Sequence, residues 1–104
     1  MITRGVISNL EITLEELKNK IRPVLAKYSV NKAAIFGSFV RGEIKEGSDI
    51  DILVELLESH SLFDFIAIKQ EIEEKIGFKV DLVEYSAIHP KLKKIILAEQ
   101  VPIL

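Results

Sequence analysis

Apolar positions follow two different periods along this chain, and the changes between them predict the order of helices and strands. Apolar residues recur every three or four positions from Leu14 to about Tyr28, as they do on one face of a helix. Pro23 lies inside this segment, so we expect it to kink the helix or divide it in two. Short apolar runs follow at 32–36 and 50–56, where successive side chains point to opposite faces of a strand.

The second half of the chain continues the alternation. Ser61 precedes a long helical segment that Gly77 ends. A third strand is predicted at 79–84, a last helix from about 87 or 90 to 99, and an edge strand at 101–104. We expect an apolar stripe on each of these two helices to face the core: Leu62, Phe65, Ile66, Ile72 and Ile76 on the first, and Ile88, Leu92, Ile95 and Ile96 on the second. Together the elements predict an α/β fold.

Length and composition restrict the class of protein. The chain has 104 residues, which suits one domain, and we expect residues 1–12 to form an N-terminal extension to a single domain over 13–104. A net charge of −2, from 14 basic and 16 acidic residues, argues against direct nucleic-acid binding. The chain has no cysteine, no signal-peptide pattern and no apolar run long enough for a membrane, so we expect a cytoplasmic protein.

The apolar content is high for so small a domain. Mean hydropathy is +0.24, and hydrophobic residues make up 48% of the chain. A domain of this size buries a smaller share of its surface than a large one does. We therefore expect part of its apolar surface to contact another chain.

Two aspartates at the start of an apolar strand are the first candidates for chemistry. Asp49 and Asp51 are two positions apart, so on a strand they share a face, with Cα atoms roughly 6.6 Å apart. An unpaired carboxylate in an apolar strand is unfavourable unless something compensates its charge. Because Mg²⁺ prefers one or two protein carboxylates together with waters and phosphates, the pair suits a metal–nucleotide complex.

A Gly-Ser turn precedes these aspartates. Gly37 ends a predicted strand where a short helix follows, so its backbone can approach a phosphate and offer N–H groups, and Ser38 adds a hydroxyl. A glycine at a strand end is also an ordinary turn residue. Arg41 has two readings as well: an ion pair that neutralises one of the aspartates, or a contact with phosphate.

Other polar residues fall on the predicted strands and loops. Asp81 interrupts the third strand, and it would approach the aspartate pair if that strand lay beside the second one; alternatively, it is solvated at a strand edge. Glu55 and Glu84 are expected to be solvated. His60 and His89 have no metal-ligand spacing around them, so we expect surface or capping roles for both.

These residues in combination resemble a known family. The pattern GSxxRG…SDxDxxV of the nucleotidyltransferase superfamily is matched by Gly37, Ser38, Arg41, Gly42, Ser48, Asp49 and Asp51, with Asp81 on a later strand. Length and element order resemble the smallest members, the minimal nucleotidyltransferase (MNT) domains, from about Leu14 onward. The resemblance implies the nucleotidyltransferase fold, with a small mixed β-sheet of three to four strands packed with helices.

The resemblance also implies a role for each matched residue. Gly37 and Ser38, with Arg41, would hold the triphosphate of ATP. Asp49 and Asp51 would bind Mg²⁺, as two ions, and Asp81 would complete the metal site and help to activate the attacking hydroxyl. The implied reaction is in-line attack on the α-phosphorus, with pyrophosphate leaving.

The acceptor is the next expectation. Larger members of the superfamily use a second domain to bind it, and this chain has no residues left for one, so we expect another chain to complete the site. Members of this size typically accompany a helical HEPN toxin, and the resemblance implies an antitoxin that transfers AMP to a tyrosine of that toxin in a hetero-oligomer. Two alternatives stay open: a non-catalytic antitoxin that only binds its partner, and nucleotidyl transfer to a small molecule by a homodimer.

Overall fold

The structure is a computed structural model that describes residues 12–43 and 47–104. The predicted N-terminal extension therefore lies outside the described residues, except for Ile12. Within these residues, three helices, four strands and two short 3₁₀ turns follow in this order: α1 Leu14–Lys27, β1 Ala33–Phe36, a turn at Gly37–Phe39, β2 Ile50–Val54, α2 Leu62–Ile76, β3 Val80–Glu84, a turn at Tyr85–Ala87, α3 Pro90–Glu99 and β4 Val101–Pro102.

Helix α1 begins at a complete capping box. The Thr13 hydroxyl accepts from the main-chain N–H of Glu16, and the Glu16 side chain accepts from the N–H of Thr13. Pro23 lies within one continuous helix, so the predicted division at this residue was wrong. Pro23 is exposed, and so is Asn19, whose carbonyl lacks the N–H partner that proline cannot supply, so water can satisfy that carbonyl.

The four strands form one mixed sheet in the order β3-β2-β1-β4. Strand β2 is parallel to β3 and antiparallel to β1, and β4 pairs with β1 at the other edge. The α/β fold with a small mixed sheet is thus confirmed, including the edge strand near the C-terminus. Strand β2 ends at Val54, two residues before the predicted end.

One face of the sheet carries the main hydrophobic core. Helices α1 and α2 pack there through a cluster that includes Leu17, Ile21, Leu25, Ile35, Ile50, Ile52, Ile68, Ile72 and Val80. Of the stripe predicted on α2, Ile72 and Ile76 are buried, but Leu62 and Ile66 are 71% and 42% exposed. Ile68 takes the central place instead, because it continues the line of Ile72 and Ile76 at helical spacing.

Helix α3 differs more from the prediction. Ile88, just before it, is buried as expected, whereas Leu92 and Ile95 are 52% and 62% exposed. No residue within α3 is fully buried. Periodicity defines an apolar face, but burial also requires another element to cover that face, and among the described residues none covers this one. The described helices also include none that is long and apolar enough to cross a membrane.

Candidate functional site

The sheet brings Asp51 and Asp81 side by side. In the parallel pairing of β2 and β3, Asp51 lies opposite Asp81, while its antiparallel neighbour on β1 is Phe36. Side chains alternate along a strand, so both carboxylates lie on the face opposite the α1–α2 core. The expected approach of Asp81 is confirmed. The alternative expectation, that Asp81 is solvated at a strand edge, holds at the same time, because β3 is an edge of the sheet and Asp81 is exposed.

Gly37 allows the Asp51 carboxylate to lie against the main chain. A Cβ atom at position 37 would be 2.0 Å from Oδ2 of Asp51, far inside van der Waals contact. Gly37 also has a φ of +79°, a region that residues with a side chain rarely adopt. Both facts require glycine here, so this residue is more than an ordinary turn glycine.

The Asp51 carboxylate is in an unfavourable electrostatic environment. Its pKa is raised to about 6; burial is the largest cause, and the negative charges of Asp81 and Asp49 are the next largest. The Arg41 guanidinium and the main-chain N–H of Ser38 act in the opposite direction without cancelling the shift. A cation placed among these carboxylates would relieve both the repulsion and the desolvation.

The chemistry of these donors suits Mg²⁺. Asp49 precedes β2 and is exposed, so its carboxylate is accessible from solvent. Within residues 12–43 and 47–104, no three acidic or histidine side chains already lie at metal-binding spacing. Mg²⁺ does not require such a group, because it commonly uses one or two protein carboxylates and completes its octahedron with waters and substrate phosphates. Asp49 and Asp51 fit that requirement.

Glu99 is the site residue that the sequence analysis missed. Its Oε1 accepts from the main-chain N–H of Gly37 at 2.9 Å, and both of its carboxylate oxygens lie 3.1 Å from Nη1 of Arg41. Arg41 also pairs with Glu43 at 3.0 Å, and these two glutamates raise its pKa. Among the described ion pairs, those of Arg41 are with glutamates and not with Asp49 or Asp51.

One signal in the sequence could have indicated Glu99. It is the last residue of α3, where the helix macrodipole disfavours a negative charge. An acidic residue at such a position suggests a partner elsewhere in the fold. Its partners Gly37 and Arg41 are 62 and 58 positions away, so no local pattern could identify them.

The two histidines have structural roles, as predicted. His60 accepts from the N–H of Leu57 at 2.8 Å, and its other ring nitrogen lies 2.6 Å from the carbonyl oxygen of Tyr28. His89 caps α3 by accepting from the N–H of Lys91 at 3.1 Å. Neither histidine belongs to the aspartate site.

Comparison with known proteins identifies the family. A family model described as polymerase beta, nucleotidyltransferase matches residues 19–104. The chain belongs to the nucleotidyltransferase family. This nucleotidyltransferase is 50% identical over 93 residues to a provisionally named protein adenylyltransferase of Methanocaldococcus jannaschii, a match that covers 89% of this chain and 100% of the relative. It is 38% identical over 94 residues to protein adenylyltransferase MntA of Thermococcus cleftensis, covering 86% and 95% of the two chains.

Solved structures agree with this assignment. A structure provisionally described as a minimal nucleotidyltransferase has a TM-score of 0.77 with this nucleotidyltransferase at 33% identity, over 89% of this chain and 94% of the other. A more distant match, with a TM-score of 0.64 at 20% identity, covers 85% of this chain and 69% of a chain in the complex of a tri-AMPylated Shewanella oneidensis HEPN toxin with MNT antitoxin. The second match supports the fold. Both matches agree with the predicted minimal nucleotidyltransferase architecture.

Proposed function

We propose that this nucleotidyltransferase transfers AMP from Mg-ATP to a tyrosine hydroxyl of a HEPN-type partner and acts as an antitoxin. The names of its relatives support protein adenylyl transfer, and the HEPN–MNT complex supports the kind of partner. The observation that carries the proposal is the position of Asp51, which lies between Asp81 on the next strand and Gly37 at the end of β1. This arrangement offers carboxylates for a metal beside main-chain N–H groups for phosphate.

In this proposal, each group of residues binds one part of the substrate. Asp49 and Asp51 would hold Mg²⁺, with Asp81 completing the set. The main-chain N–H groups of Gly37 and Ser38, together with the Arg41 guanidinium, would receive the triphosphate, because a glycine-containing turn lets phosphate oxygens approach the backbone closely and a guanidinium pairs with phosphate. Bound Mg²⁺ would neutralise phosphate charge and stabilise the entering and leaving oxygens.

The acceptor hydroxyl would approach from the solvent side of the sheet. Asp81 is exposed on the edge strand, so a tyrosine of another protein can reach it. Its carboxylate would take the hydroxyl proton while the oxygen bonds to the α-phosphorus and the bond to the bridging oxygen of pyrophosphate breaks. Positioning supplies most of the rate enhancement in such reactions, because two reactants become one complex.

Exposed apolar side chains support a protein as the acceptor. Leu62 and Phe63 at the start of α2, and Leu92 and Ile95 on α3, are all largely exposed. Apolar groups concentrated on a small domain are typical of surfaces that contact another protein. The same observation favours a second candidate function, in which binding alone neutralises the partner and catalysis is dispensable.

Mass spectrometry of the partner tests the proposal. The HEPN-type partner is incubated with this chain, ATP and MgCl₂. We expect a gain of one or more AMP units, which Asp49→Asn or Asp51→Asn abolishes and a Tyr→Phe change at the modified residue removes. Glu55→Gln is the matched control, because Glu55 is an exposed carboxylate on the strand end and should leave transfer unchanged. Transfer that survives both Asp→Asn changes would refute this assignment of residues.

A growth assay separates the two candidate functions. Under the transfer proposal, the double variant Asp49→Asn/Asp51→Asn binds the partner but does not rescue growth. If that variant rescues growth as well as the unmodified chain, neutralisation by binding is the correct account.

A further inference from the structure

Glu99 binds two of the donors that the proposed phosphate site would use, the Gly37 N–H and Arg41. Its carboxylate accepts from the Gly37 N–H at 2.9 Å and from Arg41 Nη1 at 3.1 Å. Gly37 begins a 3₁₀ turn whose N-terminus has no side-chain cap of its own. The anion at this turn therefore comes from the far end of the chain, 62 positions away.

A carboxylate can replace a phosphate at such a site. A guanidinium donates to either anion with a similar planar geometry, and a main-chain N–H at a turn binds either one. The Glu99 side chain is only 19% exposed, so its interaction with Arg41 is less screened by solvent than that of Glu43, which is 62% exposed. Glu99 is thus the better placed of the two glutamates to compete with an incoming anion.

Local helix energetics do not explain an acidic residue at position 99. Glu99 ends α3, where the partial negative charge of the last carbonyl groups disfavours a carboxylate. Nor does the core explain it, because α3 contributes no fully buried residue. The contacts that favour Glu99 are those with Gly37 and Arg41.

We propose that Glu99 is an internal competitor for the triphosphate: it binds the Gly37 N–H and Arg41 in the free protein, and nucleotide phosphate must displace it. The inference rests on the proposed function, because that proposal places the triphosphate at these donors. Displacement breaks the contacts of Glu99 with Gly37 and with Arg41. Glu99 therefore lowers the affinity for nucleotide.

Equilibrium binding of inorganic tripolyphosphate, without metal or partner, tests the inference. Glu99→Gln removes the charge and keeps the size of the side chain, and its amide oxygen can still accept from Gly37. We therefore expect the dissociation constant for tripolyphosphate to fall roughly 3- to 10-fold, the ratio that corresponds to the net contribution of about one ordinary hydrogen bond. Glu99→Ala, which removes both contacts, should give at least the same gain. Glu43→Gln is the matched control: it removes the same charge next to Arg41 but leaves the Gly37 N–H bound to Glu99, and we expect a change of less than about 2-fold.

The amide resonance of Gly37 provides a second readout that does not depend on affinity. We expect tripolyphosphate to shift this resonance in the unmodified chain, and Glu99→Gln to shift it before any ligand is added. Binding to Glu99→Gln that is no tighter than binding to Glu43→Gln would overturn the inference and leave the proposed function intact. If neither tripolyphosphate nor ATP binds any variant, the proposed phosphate site itself fails, and the inference fails with it.

Discussion

The unfavourable environment of Asp51 predicts that neutralising this residue stabilises the metal-free protein. Asp51→Asn keeps the shape of the side chain and removes a charge that burial, Asp81 and Asp49 all oppose. Between pH 3.8, the ordinary value of the carboxyl pKa, and about 6, its value in the fold, the native state binds more protons than the unfolded state. The free energy of unfolding therefore decreases as pH rises through this window and stays lower above it.

The size of the effect follows from the pKa. A rise from 3.8 to about 6 corresponds to ~3 kcal/mol if all of it were realised. Asp51 is only half-buried, so solvent screening reduces the expected gain in Asp51→Asn to roughly 1–2 kcal/mol at pH 7.5. For a domain of this length, each kcal/mol shifts Tm by about 4–8 °C.

Urea unfolding in EDTA at pH 4, 5, 6 and 7.5 measures how the free energy of unfolding of each variant depends on pH. We expect Asp51→Asn to match the unmodified chain near pH 4 and to exceed it increasingly up to pH 7.5. Glu58→Gln is the control, because it removes one exposed carboxylate and should show no such trend. A variant that is no more stable at pH 7.5 than the unmodified chain, or a difference that is independent of pH, would refute the reasoning.

The remaining predictions concern the glycine beside Asp51, the hydrophobic core and the exposed face of α3. Gly37→Ala should lower the free energy of unfolding by ~3 kcal/mol and abolish transfer, because the new Cβ clashes with Asp51. Gly42→Ala is the control: Gly42 has a φ of +75° but open space around it, so the free energy of unfolding should fall by only about 1 kcal/mol. Urea titration compares the two variants. Ile68→Ala should lower the free energy of unfolding by about 2–5 kcal/mol, because Ile68 is buried, and Ile66→Ala should lower it by under about 1 kcal/mol, because Ile66 is partly exposed. Equal losses in the two variants would contradict the observed core. Leu92→Ser should weaken binding of the HEPN-type partner at least about 10-fold, measured by calorimetry, and leave Tm unchanged. An unchanged affinity would show that α3 is not part of the interface.

The sequence predicted the parts of the fold that depend on local pattern. Strand alternation placed Asp51 among the apolar residues of β2, and the family motif singled out Gly37 before any contact was known. Asp81 needed one more fact, the parallel register of β2 and β3, which the apolar pattern alone leaves open. The motif pointed to Gly37 and Asp51 because both lie within one short stretch of chain.

Other features depend on which elements meet, and local pattern does not contain that information. Glu99 reaches Gly37 across 62 positions, so the sequence showed only an acidic residue at a helix end. Leu62 and Leu92 lie on apolar helix faces, but their exposure is decided by whether another element covers them. Pro23 was predicted to kink α1 or to divide it, yet tertiary packing of Ile21 and Leu25 on either side of it maintains one continuous helix.

The most direct test of the central claim compares AMP transfer by the unmodified chain and by Asp51→Asn under conditions where both are folded. The measurement is the mass of the partner's tyrosine-containing peptides after incubation with ATP and MgCl₂. The account predicts AMP on a tyrosine with the unmodified chain and none with Asp51→Asn, even though that variant is the more stable of the two without metal. Transfer by Asp51→Asn at an undiminished rate would contradict it, because the carboxylate at the centre of the site would then be dispensable.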